Sequence, residues 1–283
     1  MITLASILQG LVARGEPAVV VSVAAAKGSA PREVGTRMIV TARSIHGTIG
    51  GGRPEWEACE RARALLETDG AELTMNLPLG PEIGQCCGGF VSLRLQRADD
   101  GLCAELEALE RAEHAQLPPV LLFGAGHVGK ALATALAPLP VRVRWIDGRA
   151  GEFPDPAIDG PEVVVTERAL AEVETAPAGA AYLVMTHSHA LDSMICAAVL
   201  QRGDFAYLGL IGSRTKRAQF ERGFRELGIP KERIARLVCP IGGARIKDKR
   251  PPVIAALTAA ELLHALADRA TRDDQPKTGE AAA

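Results

Sequence analysis

Aromatic residues are scarce in this chain: Phe, Trp and Tyr together make up 4% of its 283 residues. No basic tract interleaves with aromatics, and the formal net charge is only −2. That balance gives no reason to expect DNA, RNA or an anionic membrane as a partner. No apolar run is long enough to cross a bilayer. The N-terminus lacks a charged stretch followed by an apolar core, so no signal peptide is expected and the cytoplasm is the expected compartment. The six cysteines (Cys59, Cys86, Cys87, Cys103, Cys196, Cys239) form no CxxC pair and no zinc-finger spacing. A disulfide scaffold is not expected in a reducing compartment.

What is present suits a soluble α/β protein of two domains. Hydrophobic residues are 47% and charged residues 23%. In the first hundred residues, 4–12 and 55–67 have helical patterning, the second opened by Pro54. Residues 18–26, 37–40, 72–76 and 90–95 read as strands of a mixed sheet. Residues 98–116, with Leu102, Leu106 and Leu109 at helical spacing, predict a linker helix that ends at Pro118 and Pro119. The second half alternates strand and helix: strands at 120–123, 141–146, 162–165, 181–185 and 206–210, helices at 127–137, 167–174, 190–202 and 214–227. A last helix is expected at 252–268. That alternation predicts a Rossmann-like, doubly wound parallel sheet. The expected organisation is a cysteine-loop domain over 1–100, a linker helix over 101–118, a Rossmann-like domain over 119–270 and a disordered tail over 271–283.

The segment Gly84-Gln85-Cys86-Cys87-Gly88-Gly89 offers two thiols among glycines just before a strand. A thiolate there could bind a soft metal or carry sulfur. Amides of a glycine loop could stabilise such an anion. The plain alternative is a tight turn holding two small apolar residues. A bridge between the two is not expected, because adjacent Cα atoms lie about 3.8 Å apart, short of the usual disulfide range.

Gly124-Ala125-Gly126-His127-Val128-Gly129 follows an apolar strand and opens a helix, as a dinucleotide fingerprint does. Gly124 would make the turn, Gly126 would let the backbone approach a phosphate, and Gly129 would let helix and strand pack closely. Asp147 ends the next strand and would accept from a ribose hydroxyl. That favours NAD over NADP, while Arg149 weighs the other way. The alternative is a Rossmann-like domain kept only as scaffold.

In the usual doubly wound order the first and fourth strands are neighbours, so His127, His187, His189 and Asp192 are expected near one crevice. Metal binding and proton transfer are both open to such a set. Equally, Ser188 and Asp192 could simply cap the next helix. Ser213 lies in a glycine-rich, basic loop suited to a phosphate or carboxylate, and residues 239–242 are placed at the same edge. In the first domain, Lys27 and Arg32 flank a glycine loop, and Gly50, Gly51 and Gly52 precede a helix. Both loops read as oxyanion sites, or as ordinary turns.

Taken in order, GSAPREVGTRMIV (28–40), GTIGGG (47–52), LGPEIGQCCGG (79–89), LLFGAGHVGKAL (121–132), HSHALD (187–192), GLIGSRTKRAQF (209–220) and CPIG (239–242) resemble the xanthine dehydrogenase accessory proteins of the XdhC/CoxI family. The resemblance spans nearly the whole chain. It implies a chaperone, without independent catalysis, that binds the molybdenum cofactor (molybdopterin) and protects it. A cysteine desulfurase meanwhile adds a terminal sulfido ligand. The cofactor then passes to a xanthine dehydrogenase-type apoenzyme of purine catabolism. It further implies that Cys87, with Cys86 and Gln85 as neighbours and Gly88 and Gly89 behind it, contacts molybdenum, and that the protein is a homodimer. The competing readings from the residues are an NAD-dependent oxidoreductase with His187 or His189 as proton donor, and a zinc or iron protein using His187, His189 and Asp192.

Overall fold

The structure, a computed structural model, describes residues 3–28, 33–79, 89–243 and 246–273. It divides into two compact units, one up to His114 and one from Ala115. The first contains α1 (Leu4–Ala13), β1 (Ala18–Lys27), β2 (Arg37–Thr41), β3 (Ile45–Gly47), α2 (Gly52–Leu66), β4 (Glu72–Leu79), β5 (Gly89–Arg97) and α3 (Asp100–Gln116).

Valine- and alanine-rich β1 lies at the centre of a five-stranded sheet in the order β3-β2-β1-β5-β4. Every pairing in it is antiparallel, which corrects the expected mixed sheet. Alternation along β1 supplies two cores. Val19, Val21 and Val23 pack with Ala58, Cys59 and Ala62 of α2. Val20 packs on the other side with Leu8 of α1 and with Cys103 and Leu106 of α3. Helix α3, expected as a linker, therefore buries its apolar stripe in the first unit. Strand β3 was not foreseen.

The second unit contains β6 (Pro119–Phe123), α4 (His127–Leu136), β7 (Arg142–Asp147), β8 (Glu162–Val165), α5 (Ala169–Thr175), β9 (Ala181–Val184), α6 (His189–Arg202), β10 (Tyr207–Leu210), α7 (Arg214–Glu226), α8 (Lys231–Ile234), β11 (Leu237–Val238) and α9 (Pro251–Asp273). All strands are parallel, in the order β11-β10-β9-β6-β7-β8. This is the doubly wound arrangement predicted, with the chain reversing direction between β6 and β9. Buried on both faces, β6, β9 and β10 are continuous apolar runs, as internal parallel strands must be. Helix α9 runs to Asp273, so the expected tail is helical over its first residues. Among the described residues no helix is long and apolar enough to cross a membrane.

Candidate functional site

The residues singled out by the sequence fall in two groups of loops, one in each unit. In the first unit the ladder register places them. Lys27 at the end of β1 pairs with Phe90 at the start of β5, and Leu79 at the end of β4 pairs with Gly89. Gly47 at the end of β3 pairs with Met38 at the start of β2. The strand ends Lys27, Gly47, Leu79 and Gly89 therefore all lie at the same end of the sheet. Lys27 is exposed there. Gln85, Cys86, Cys87, Gly88 and Arg32 lie outside the described residues.

The triple-glycine loop is not an empty oxyanion cradle. Gly50, Gly51 and Gly52 have φ of 122°, 74° and 69°, a path that side chains rarely follow. That path curls the loop around Glu55. Its Oε2 accepts from Ile49 N (2.9 Å), Gly51 N (3.1 Å) and the Thr48 hydroxyl. Burial pushes the Glu55 carboxyl up, but these donors outweigh it and hold the group below its ordinary range. The anion expected from a ligand is thus supplied by the chain. A carboxylate in the first turn of a helix was the available signal.

In the second unit the fingerprint glycines divide their work as expected. A Cβ on Gly124, whose φ is +114°, would stand 2.3 Å from the Met185 carbonyl oxygen. A Cβ on Gly129 would stand 2.0 Å from the Gly124 carbonyl oxygen. Gly126 would meet nothing within 4 Å, and as N-cap of α4 it has no side-chain cap. The first and third glycines serve packing, and the second faces open space at a helix N-terminus.

Asp147 is buried and fully engaged. Oδ2 accepts from Ala125 N (2.8 Å) and Arg149 Nη2 (2.9 Å), and Oδ1 from Arg149 N and Nε (both 3.0 Å). Burial raises its pKa, yet the bonds from Arg149 and the Ala125 amide prevail and hold it below the usual carboxylate range. A carboxylate offers about four acceptor sites. A ribose hydroxyl would have to displace Arg149. Beside this pair lies a cavity of about 310 Å³ lined by Phe123, Asp147, Arg149, Thr166, His187 and Leu191 among others.

The loop after β9 adjoins the glycine loop, as the strand order requires. His127, His187 and His189 are exposed at this edge. Asp192 is not available to a metal. It is fully buried, with Oδ1 accepting from Thr186 N (2.9 Å) and its hydroxyl (2.8 Å), and Oδ2 taking the Lys216 ammonium at 2.7 Å. Lys216 also donates to the Ile211 carbonyl, so this pair ties the loops after β9 and β10 together. Among the described residues no three His, Cys, Asp or Glu gather as a metal site. Ser188 caps α6 and Ser213 caps α7, so the capping alternative holds for Ser188 and describes Ser213 too. The 239–242 segment does reach this edge: Ile241 N donates to Leu210 O, and the Cys239 thiol lies 3.8 Å from Ser213 O.

Residues 120–262 match the family described as the XdhC Rossmann domain, and residues 11–76 match the XdhC and CoxI family. The chain belongs to the XdhC and CoxI family. This XdhC/CoxI chain is 29% identical over 242 residues to the uncharacterized protein YqeB of Escherichia coli (strain K12). That match covers 84% of the chain and 41% of YqeB, so the chain spans about two fifths of that relative's length. Its fold is similar to the crystal structure of a xanthine dehydrogenase (BH1974) from Bacillus halodurans, with a TM-score of 0.70, 17% identity and 98% of each chain covered.

Proposed function

We propose that this XdhC/CoxI chain is an accessory protein of a xanthine dehydrogenase-type molybdoenzyme, working in the cytoplasm. Its cargo is the molybdenum cofactor. The protein holds it while a cysteine desulfurase supplies the terminal sulfido ligand, then passes it to the apoenzyme. Cys87, with Cys86 beside it, gives the soft sulfur that a soft, sulfur-rich centre prefers. Lys27 and Arg32 offer cations to the cofactor's anionic groups. The observation that carries this reading is the convergence at one sheet end of Lys27, the triple-glycine loop and both ends, Leu79 and Gly89, of the cysteine segment. Loading purified protein with the cofactor tests it. Cys87→Ala is expected to retain about tenfold less, equivalent to about 1.4 kcal/mol. Equal retention by wild type and variant removes Cys87 from the mechanism.

The open backbone at Gly126 favours a second, compatible reading, a nucleotide such as NAD in the Rossmann-like unit. Calorimetric titration with NAD and NADH separates it from a scaffold. The saturated Asp147 carboxylate leads us to expect weak binding that tightens in Arg149→Ala. No heat at millimolar ligand for either protein ends the nucleotide reading.

A further inference from the structure

The N-terminal sheet leaves one long edge open. Among the described residues β4 pairs with β5 alone, and it runs for eight residues against three in β3 at the opposite edge. The register decides which of its groups point outward. Arg97 N donates to Ala71 O at 2.8 Å, so Ala71 and Arg97 face each other as a hydrogen-bonded pair. Such pairs alternate with non-bonded ones along an antiparallel ladder. The register from Glu72↔Gln96 to Leu79↔Gly89 is unbroken. Leu73, Met75 and Leu77 therefore bond to β5, and the N–H and C=O groups of Glu72, Thr74 and Asn76 face away from the sheet. Pro78, next in the outward series, has no N–H to offer and ends the free stretch. No bulge and no lysine, devices that usually blunt an edge, interrupts the strand before it.

The two faces beside this edge differ. Toward α2, Trp56 (64% exposed), Leu73 (38%) and Met75 line a groove of about 640 Å³. Glu57 and Glu60 in the same lining are already paired along α2 with Arg53 and Arg63. On the opposite face, at the Glu72 end, a second groove of about 600 Å³ is lined by Asp69, Glu72, Asp99 and Glu105, with Arg97 the one cation in the lining. Arg94 pairs with Glu72 at 2.7 Å, and carboxylates still outnumber guanidiniums there.

We propose that β4 receives an extended segment of another protein, running antiparallel, in which apolar residues alternate with polar ones and a Lys or Arg reaches Glu72. Antiparallel addition lets Glu72, Thr74 and Asn76 each exchange both backbone bonds, about six in all. Side chains of directly facing residues share one face of the sheet. Those facing Leu73 and Met75 therefore enter the Trp56 groove and are apolar. The one facing Glu72 stands beside the acidic groove, where a cation is favoured and a carboxylate is repelled. A second copy of β4 does not meet this pattern, because the strand carries no Lys or Arg. Since β4 ends at Leu79, where the chain enters the cysteine segment, the bound segment is held beside that entry. The use of this position in cofactor handling rests on the function proposed above.

The test combines the full chain with a dye-labelled peptide of core sequence Ser-Val-Thr-Val-Lys, followed by fluorescence anisotropy. In the antiparallel register its Lys faces Glu72 and its two Val residues face Leu73 and Met75. Saturable binding is expected. Replacing the peptide's Lys by Glu is expected to weaken it about fivefold. Thr74→Pro removes an outward N–H and no bond within the sheet, so it is expected to lower affinity about tenfold with unchanged circular dichroism. Trp56→Ala, which lies outside the sheet, is expected to weaken binding as well. Cys87→Ala is expected to bind the peptide as wild type does, so a failure here and a failure of the cofactor reading are told apart. Absence of binding by the wild type overturns the proposal. So does equal affinity for the Lys and Glu peptides, or affinity unchanged in both Thr74→Pro and Trp56→Ala. A wild type that sediments as a dimer and is split by Thr74→Pro also overturns it, giving the edge to a second copy.

Discussion

The loop over 47–52 and the loop over 124–129 both lead the chain through glycines into a helix, and each resembles an anion cradle in sequence. In the first, the Ile49 and Gly51 amides are given to the chain's own Glu55. In the second, Gly126 faces open space and α4 begins without a side-chain cap. Glycine in such a loop reports close backbone approach or an unusual φ. Whether the resulting pocket of amides is free depends on the nearest carboxylate. Asp147 shows an intermediate case, taking the Ala125 amide while leaving Gly126 open.

The largest effect expected from breaking this comparison is at Gly129. A Cβ there meets backbone, which cannot rotate away, so Gly129→Ala should cost at least about 3 kcal/mol in urea unfolding. Gly126→Ala should cost less than about 0.5 kcal/mol in the same measurement. Equal losses would erase the distinction between a packing glycine and an open one. Next comes Glu55→Ala, which strands the Ile49 and Gly51 N–H groups and should cost about 1–3 kcal/mol in thermal unfolding of the N-terminal unit. Glu55→Gln keeps an acceptor and should lose less. A neutral Glu55→Ala would mean that the loop does not need its internal anion.

The smallest expected effect is a pH response. Glu55 and Asp147 both titrate below their ordinary values of 4.5 and 3.8. Depressed carboxyls stabilise the fold above their unfolded pKa and lose that contribution as pH falls through the folded one. Stability should therefore fall on acidification below about those values. Asp147→Asn should flatten the response of the C-terminal unit alone. An unchanged acid profile in that variant would separate Asp147 from the effect.

The doubly wound unit was legible because its signals are local. Buried parallel strands are short apolar runs, and the glycine spacing marks the β6 to α4 turn. Residues 162–165 lie in β8 as expected, and 120–123, 181–184 and 207–210 all fall within predicted strands. What was hidden depends on partners distant in sequence. Lys216 is 24 residues from Asp192, and no periodicity announces that pair. Strand direction in the first sheet is likewise a property of pairing. The spacing of Leu102 and Leu106 foretold a helix but not the face that would receive it. Three-residue β3 is too short for alternation to register.

Each unit holds one of the chain's two tryptophans, in opposite surroundings. The Trp145 indole is wholly buried and donates to the Gly124 carbonyl at 3.0 Å, directly beneath the fingerprint turn. Trp56 stands largely in solvent at the start of α2. Native fluorescence is therefore already divided by location: a shielded, blue-shifted emitter reports on the nucleotide-type turn, and a quencher-accessible, red-shifted one on the α2–β4 groove. Changes around the glycine turn and around the α2–β4 groove can therefore be followed separately in a single spectrum of unlabelled protein.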